Sequence, residues 1–433
     1  MDADARPDGE GGALNDTIYA LSSGAPPAAI AVVRISGGRA EAALEALAGR
    51  LPGPRVATLA TLREGDELLD EALVLRFSGP ASATGEDVVE LHLHGGRSVV
   101  AAVLAALGRM AGLREARPGE FTRRAFEHGR IDLAEAEGLA DLLEAETEGQ
   151  RRQALALAGG ALSRKVAEWQ EQLLALSAEV EAALDFSDED DVEPLSADFG
   201  ARLVAFRGEL ASWLARPPAE RLKDGLRVVI AGPPNAGKSS LFNVLLGRDA
   251  AITSPLPGTT RDLIEAPVSF EGRPFLLIDT AGLREAADEL EGIGIARAQA
   301  SAAAADLILW LGPPGEAPEQ AVRLHPKADL IPAPADSVLC VSAMTGENID
   351  ALIRLLIQHS ARFLPVEGEV ALNTRHRTLL ISCRDVLEEA GSTDLLIAAE
   401  ALRRGLASLD AVTGKAGVEH MLDALFGRFC IGK

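Results

Sequence analysis

A glycine-rich stretch at residues 232–240, GPPNAGKSS, has the residue types and spacing of a loop that holds nucleotide phosphates. It fits the pattern G-x-x-x-x-G-K-[ST] in full, and it lies between the apolar run LRVVIAG and the helical run SLFNVLLG, as the pattern requires. Gly232 and Gly237 let the backbone turn its N–H groups toward phosphate oxygens. Lys238 can reach the β- and γ-phosphates, and the Ser239 hydroxyl can ligate Mg²⁺. The flanking strand and helix favour a P-loop over an ordinary glycine-rich turn.

A second phosphate-linked motif follows at residues 275–283, FLLIDTAGL. A buried strand is predicted to end on Asp279, which suits a carboxylate linked to Mg²⁺, and Gly282 can bring its backbone N–H to the γ-phosphate. Between the two motifs lies PGTTRD, in which Thr260 is the candidate for a second hydroxyl on Mg²⁺. Each of these motifs is weak alone, but D-x-x-G at this spacing after a P-loop predicts a triphosphate-dependent switch.

The stretch LHPKADL indicates which base is bound. Guanine-specific proteins use Asn/Thr-Lys-x-Asp, in which the aspartate accepts hydrogen bonds from the ring N–H and the amino group of guanine. Lys327 and Asp329 fit this pattern, whereas Pro326 replaces the asparagine and supplies neither a side-chain amide nor a backbone N–H. Ser342 and Ala343 are predicted to supply the last contact to the base. Guanine is therefore favoured, with a weaker hold on the base and the neighbouring loop.

The group that activates water is not an ordinary glutamine. Leu283 follows the D-x-x-G motif at the place where a glutamine would orient the attacking water. Asn235, inside the P-loop, offers a neutral side-chain oxygen near the phosphates. It is a candidate ligand for a monovalent cation at the place where other enzymes use an arginine.

The composition is that of a globular protein with several domains, since 47% of the 433 residues are apolar and 25% are charged. The net charge of −23 disfavours non-specific binding to nucleic acid, because phosphate repels such a surface, but it leaves room for a local basic site. Cys340, Cys383 and Cys430 match neither a disulfide framework nor a zinc site, which favours a reducing cytosol. Cys340 and Cys383 are expected in the core. The acidic N-terminus is unlike a signal peptide, and the apolar run ADLILWLG is too short to cross a bilayer, so we expect a cytoplasmic protein.

The predicted fold class combines α/β and α segments. Residues 1–14 form a tail, 15–130 an α/β domain, and 131–220 the first part of a helical domain. Apolar strands alternate with helices over residues 221–365, which predicts a doubly wound parallel sheet. Residues 366–433 are predicted to be the second part of the helical domain, so that the nucleotide domain is inserted in it.

The terminal stretch FCIGK places a thiol, Cys430, three residues before Lys433 at the end of the sequence. Chain ends fray, so core packing is a poor explanation for this cysteine. An incidental free cysteine is the simplest alternative. A thiol activated by the nearby lysine is the functional interpretation.

Together these motifs resemble the bacterial family of tRNA-uridine-modification GTPases, MnmE (also TrmE), over essentially residues 15–433. NDTIYALSSG, TGEDVVELHLHGG, RPGEFTRRAFEHGRIDLAEAEGLADLL, DTAGLREAADELEGIGI and the terminal CIGK carry the resemblance. It implies a tetrahydrofolate-binding N-terminal domain that dimerises, a discontinuous helical domain and an inserted Ras-like P-loop GTPase domain. It also implies a K⁺-dependent GTP hydrolase that works with the flavoprotein MnmG (GidA) in a heterotetramer, with FAD on the partner. Together they would add a carboxymethylaminomethyl or aminomethyl group to carbon 5 of the wobble uridine of certain tRNAs, using a one-carbon unit from tetrahydrofolate.

The resemblance also implies roles for individual residues. The K⁺ ligands would be the side chains of Asn235 and Thr259 and the carbonyls of Ser254 and Leu256, and Mg²⁺ would bind Ser239 and Thr260. Glu291 would position water, Cys430 would be the essential thiol, and Arg34, Glu90, Arg130 and Lys433 would contact folate; the family often has lysine in place of Arg130. The nucleotide-binding set comprises Asn235, Ala236, Gly237, Lys238, Ser239, Ser240, Ser254, Pro255, Leu256, Pro257, Gly258, Thr259, Thr260, Asp279, Thr280, Ala281, Gly282, Lys327, Asp329, Ser342, Ala343 and Met344.

Two alternatives stay open from the sequence. One is a regulatory GTPase switch in ribosome assembly that modifies nothing, which leaves residues 15–130 and CIGK unexplained. The other is an ATPase with a degraded base site, which Pro326 motivates. The arginine-rich stretches FTRRAF, EGQRR and EALRRG are interpreted as solvated helix faces, with tRNA contact as the alternative.

Overall fold

The computed structural model describes residues 16–185, 195–248, 265–279, 305–332, 339–366, 368–415, 422 and 425–432. The chain divides into two compact units: unit 1 comprises residues 1–140 and 413–433, and unit 2 comprises residues 141–412. The segment 366–433 is thus shared between the units. The predicted fold class is confirmed: an α/β N-terminal part, helical segments and a P-loop domain with a largely parallel sheet.

Unit 1 is built on a six-stranded sheet in the order β3-β4-β5-β2-β1-β6. Neighbouring strands are antiparallel except β1 and β6, which are parallel. Alternation along each strand sends one set of side chains toward helices α1 and α2, where they form the main apolar core of the unit. The elements are β1 (Thr17–Leu21), β2 (Ile30–Ser36), α1 (Ala40–Ala48), β3 (Thr58–Glu64), β4 (Glu67–Phe77), β5 (Val88–His94), α2 (Arg97–Gly108), β6 (Leu113–Glu115), α3 (Glu120–Glu127) and α4 (Leu133–Glu144).

The end of the chain packs within unit 1. Phe426 and Phe429 are buried together with Leu133 in a small apolar cluster. Gly432 has φ +99°, and a Cβ at this position would lie 2.1 Å from the carbonyl oxygen of Leu21. The glycine of the terminal CIGK is therefore required by close approach to the end of β1, and only a residue without a side chain fits there.

Unit 2 contains a second six-stranded sheet, in the order β12-β11-β10-β7-β9-β8. All neighbouring pairs are parallel except β8 and β9, which form an antiparallel hairpin. Helices α9 and α10 cover the core-facing side chains of this sheet. The elements are β7 (Leu226–Ala231), α9 (Lys238–Arg248), β8 (Glu265–Phe270), β9 (Arg273–Asp279), β10 (Leu307–Trp310), β11 (Val322–His325), β12 (Leu339–Cys340) and α10 (Ile349–Ser360).

The connection between the parallel strands β10 and β11 departs from the predicted alternation of strands and helices. Residues 311–321, all of which the structure describes, contain one 3-10 turn, Pro314–Glu316, and no α-helix. Parallel neighbours are usually joined by a helix. Here the loop folds back over Trp310 instead, whose indole Nε1 donates to the carbonyl of Pro313 at 3.0 Å.

The remaining helices of unit 2 form the helical part of the molecule. Trp169 is fully buried and meets Trp213 edge to face at 5.3 Å between ring centroids. This part contacts the P-loop domain at the tip of the β8–β9 hairpin, where the backbone N–H of Gly149 donates to the carbonyl of Gly272 at 3.2 Å. The helices are α5 (Glu148–Ala158), α6 (Ala161–Asp185), α7 (Phe199–Leu214), α8 (Glu220–Asp224), α11 (Thr374–Val386) and α12 (Leu395–Thr413).

Candidate functional site

The predicted P-loop lies between β7 and α9. Strand β7 ends at Ala231, and α9 begins at Lys238. Asn235 adopts a left-handed backbone conformation with φ +61°, which folds the loop back before the helix. Lys238 is buried, and its Nζ donates to the carbonyls of Gly232 and Pro233 at 3.1 and 2.9 Å. The loop therefore presents backbone N–H groups, a helix N-terminus and a lysine at one point, which suits a polyphosphate.

The predicted base-binding residues lie beside this loop. Lys327 donates from Nζ to the carbonyl of Asn235 at 2.7 Å. This bond links the turn that carries Lys327 and Asp329, here called the base turn, to the phosphate loop. Ser342 donates from Oγ to a carboxylate oxygen of Asp329 at 2.6 Å and holds that carboxylate in place. A cavity of about 90 Å³ is lined by Gly237, Ser240, Lys327, Asp329, Ala343 and Met344 together with Leu241, Leu311, Pro326, Leu330 and Val341. The structure thus brings the two base motifs and the P-loop around one space.

Asp279 lies at the end of β9 next to the P-loop. It pairs in register with Ile230, near the end of β7, and it is 5% exposed. The carboxylate is therefore placed on the same edge of the sheet as the start of the phosphate loop. A buried carboxylate and the Ser239 hydroxyl of the P-loop are oxygen donors of the kind that Mg²⁺ prefers.

Several predicted site residues fall outside the residues that the structure describes. Of the four predicted K⁺ ligands, Asn235 is the one that the structure describes. Those outside are Ser254, Pro255, Leu256, Pro257, Gly258, Thr259, Thr260, Thr280, Ala281, Gly282, Glu291 and Lys433.

A second cluster lies on the sheet of unit 1. Arg34 on β2 pairs in register with Glu90 on β5, and its Nε and Nη2 donate to one carboxylate oxygen at 3.1 and 2.9 Å. The other carboxylate oxygen lies 3.4 Å from Nε2 of His92. The guanidinium of Arg34 also lies 5.7 Å from the ring centroid of Phe121. Two of the four predicted folate contacts therefore form one pair.

The other described folate candidate and the terminal thiol lie on elements that neighbour this pair. Arg130 donates from Nε to the carbonyl of Ser82 at 3.1 Å, and Thr84 in the same loop meets Ser36 at 2.7 Å. Ser36 is two residues along β2 from Arg34, so this loop lies beside the pair. Cys430 is exposed, and the tail that carries it is seated against the end of β1, the strand next to β2.

Sequence reasoning missed a buried ion cluster in unit 1 and was wrong about part of FTRRAF. Arg124 is 2% exposed rather than solvated. Its guanidinium contacts the carboxylates of Asp16, Glu86 and Glu120 at 2.7, 3.1 and 3.2 Å. Burial works against ionisation of Arg124, but the charges of Glu86 and Glu120 and the hydrogen bonds that Arg124 donates to Glu86 and Asp16 raise its pKa above the ordinary value. The helical period at residues 120–127 gave no signal for this, because the partners at 16 and 86 are distant in sequence.

The other two cysteines differ from each other. Cys383 is fully buried in α11, as predicted. Cys340 lies in β12 and is half-buried, so the prediction of a core position was wrong. Among the described strands, β12 lies at the edge of the sheet and has β11 as its one neighbour.

Family comparisons agree with this arrangement. The model described as GTP-binding protein TrmE N-terminus matches residues 17–130, and the model described as MnmE helical domain matches residues 133–430. The chain belongs to the MnmE family. The MnmE helical-domain match runs across the residues of the P-loop domain.

Curated MnmE relatives match along nearly the whole chain. The tRNA modification GTPase MnmE of Erythrobacter litoralis is 58% identical over 423 residues, covering 96% of this chain and 100% of the relative. That of Novosphingobium aromaticivorans is 57% identical, covering 97% and 100%. Among solved structures, the G domain of the T. maritima FeoB iron transporter matches at 20% identity with a TM-score of 0.20, covering 31% of this chain and 98% of that chain. No helix of the described part of this MnmE-family chain has the length and apolar character needed to cross a membrane.

Proposed function

We propose that this chain is a GTP hydrolase that acts in the modification of tRNA at the wobble uridine. The observation that carries the proposal is the link between Lys327 and Asn235, which joins a base turn and a phosphate loop around one cavity. The curated relatives that match the full length are called tRNA modification GTPases. Both the geometry and the relatives therefore support the same nucleotide chemistry.

The residues of the cavity favour guanine over adenine. Asp329 presents a carboxylate, which accepts hydrogen bonds from the ring N–H and the amino group that guanine carries side by side. Adenine offers no such pair of donors on that edge, so it would leave the carboxylate partly unsatisfied. The hydrogen bond from Ser342 orients Asp329 for this task.

Two cations fit the proposed nucleotide site. Ser239 and Thr260 would hold Mg²⁺ close to the carboxylate of Asp279, and oxygen donors of this kind suit that ion. Asn235 and Thr259, with the carbonyls of Ser254 and Leu256, would hold K⁺, for which neutral oxygens are suitable ligands. Bound there, the two cations would neutralise charge on the phosphates during hydrolysis. Glu291 would position the water, since Leu283 cannot.

The cluster in unit 1 fits a reduced pterin. The Glu90 carboxylate, held by Arg34, can accept hydrogen bonds from the aminopyrimidinone edge of tetrahydrofolate. Arg130 and Lys433 would supply positive charge for the remainder of the ligand. The tail that carries Cys430 is seated against the end of β1, the strand next to β2, through Gly432, and the thiol is exposed. When bound, the folate would supply the one-carbon unit for the tRNA product.

The assembly proposed for this function is a homodimer that works with MnmG, on which FAD would be bound. The product would carry a carboxymethylaminomethyl or aminomethyl group at carbon 5 of the uridine. Because tRNA and GTP are cytoplasmic, we place the reaction in the cytoplasm. These assignments rest on the membership of this chain in the MnmE family.

The proposal is tested by GTP turnover in matched K⁺ and Na⁺ buffers containing Mg²⁺. Faster turnover in K⁺, with loss of that advantage in Asn235→Ala, is the expected result. Equal rates in the two salts would remove the cation from the mechanism. Absence of GTP turnover in both salts would reject the hydrolase itself.

A further inference from the structure

The base turn of this chain lacks the asparagine that usually precedes its lysine, and another residue contacts the turn instead. In guanine-binding proteins an asparagine precedes the lysine of the base motif, and here Pro326 stands in its place. Proline has no side-chain donor and no backbone N–H, so position 326 cannot donate a hydrogen bond that would hold the turn to its surroundings. Yet Asp329 must be positioned accurately if it is to read guanine.

The turn itself runs from Lys327 to Ile331. The backbone N–H groups of Leu330 and Ile331 both donate to the carbonyl of Lys327, at 2.9 and 3.0 Å. Lys327 has φ +57°, a conformation that a residue with a side chain adopts only where its surroundings favour it. Asp329 lies at the exposed middle of this turn. The position of its carboxylate therefore depends on the two ends of the turn as well as on the hydrogen bond from Ser342.

His325, the last residue of β11, contacts the far end of the turn. Its Nε2 lies 3.0 Å from the carbonyl oxygen of Ile331. Because a carbonyl oxygen only accepts, Nε2 must carry the hydrogen of this bond. The imidazole thus spans the turn from the residue before Pro326 to the residue that closes it.

The backbone of His325 is fixed as well. Its carbonyl accepts a hydrogen bond from the N–H of Val341 at 2.8 Å. Val341 precedes Ser342, the residue that holds Asp329. His325 is therefore connected through its backbone to one support of the carboxylate and through its ring to the end of the turn that carries it.

We propose that His325 is a positioning residue for guanine recognition, which takes over at this site the work of the asparagine that Pro326 replaces. The inference rests on the proposed binding of a guanine nucleotide. It assigns to His325 the orientation of Asp329, and it leaves the phosphate chemistry to Lys238, Ser239 and Asp279.

The test measures equilibrium dissociation constants for GDP and IDP in purified full-length variants. IDP lacks the amino group of guanine but keeps its ring N–H, so the ratio of the two constants reports how well Asp329 is oriented toward the amino group. In His325→Ala the Kd for GDP should rise about fivefold, as expected for loss of one hydrogen bond, while that for IDP changes less. His325→Gln, whose amide nitrogen can reach the position of Nε2, should restore most of the ratio. His359→Ala on α10, outside the cavity lining, is the matched control.

A double-mutant cycle with Pro326→Asn sharpens the test. If the asparagine restores the missing tie, His325→Ala in that background should raise the Kd for GDP by less than about twofold. Equal GDP-to-IDP ratios in wild type and His325→Ala would overturn the inference, as would a His325→Gln variant as impaired as His325→Ala. A wild-type protein that binds no guanine nucleotide would instead reject the proposed function, so the two failures are distinguishable.

Discussion

Lys327 donates a hydrogen bond from its ammonium group to the backbone carbonyl of Asn235, at 2.7 Å. Both residues have positive φ, at 57° and 61°, so each belongs to a tight turn rather than to a regular element. The contact joins the turn that would read the base to the loop that would hold the phosphates. Occupation of either part by a ligand is therefore expected to stabilise the other.

Removing the donor from this contact should weaken nucleotide binding without unfolding the domain. Lys327→Met keeps most of the aliphatic stem and loses the ammonium. The Kd for GDP, measured by calorimetry, should rise about 10-fold, since hydrogen bonds from charged groups are worth more than neutral ones. Lys223→Met, which removes an exposed lysine paired with Glu144, is the control and should bind GDP as wild type does. An unchanged Kd in Lys327→Met would show that the two turns act independently.

Asp329→Asn should change the base that is preferred. The amide NH₂ of the variant would face the amino group of guanine, and two donors cannot pair, so GTP binding should fall at least about 100-fold. Xanthine carries a carbonyl in place of that amino group, and this carbonyl can accept a hydrogen bond from the amide. Competition of XTP and GTP for the variant measures the shift. If the variant still preferred GTP, the base would not be recognised by residue 329.

The parts of the site that could be predicted from sequence are those encoded by local spacing. The P-loop from Gly232 to Ser239 lies where its strand and helix signals indicate, because strand, turn and helix follow one another along the chain. Contacts between distant segments gave no such signal. The His325 ring reaches Ile331 only because Pro326 and the left-handed Lys327 bend the chain, which is a property of the folded turn.

Dependence on distant segments also explains why the sequence did not predict the exposure of Cys340 or the contact of Gly432. The core position expected for Cys340 depends on which strands flank β12, and strand order is not a property of the segment alone. The close approach of Gly432 to Leu21 joins the last residues of the chain to its first strand. Neither the period of a helix nor the alternation of a strand predicts such a pairing.

The ion cluster of unit 1 should make stability sensitive to acid. Burial opposes ionisation of Glu120, but hydrogen bonds from the Arg114 side chain and the Arg117 backbone, with the positive charges nearby, lower its pKa below the ordinary 4.5. Since the pKa is lower in the folded state, this contribution is present above about pH 4.5 and is lost as the pH falls through the folded value. Urea unfolding between pH 7 and 3 should therefore show a steeper loss of stability in wild type than in Glu120→Gln. Parallel curves would contradict the assignment.

Thiol reactivity should separate the cysteines. Burial raises the pKa of Cys383 to about 12, so this thiol stays protonated and shielded at pH 8. Cys430 is exposed, so iodoacetamide should modify it first, with the added mass located by peptide mapping. Cys430→Ser should remove the fast phase of labelling, whereas Cys383→Ala should leave it unchanged. Rapid modification of Cys383 in the native protein would contradict its burial in α11.

Nucleoside analysis of tRNA tests the proposed function most directly. A bacterial strain that lacks its own wobble-uridine modification GTPase and expresses this chain should regain carboxymethylaminomethyl- or aminomethyluridine, detected by mass spectrometry. Cys430→Ser should fail to restore the nucleoside while it still hydrolyses GTP in vitro, because Cys430 belongs to unit 1 and the residues of the P-loop belong to unit 2. Expression of folded wild-type protein together with its flavoprotein partner, without return of the modified uridine, would contradict the proposal.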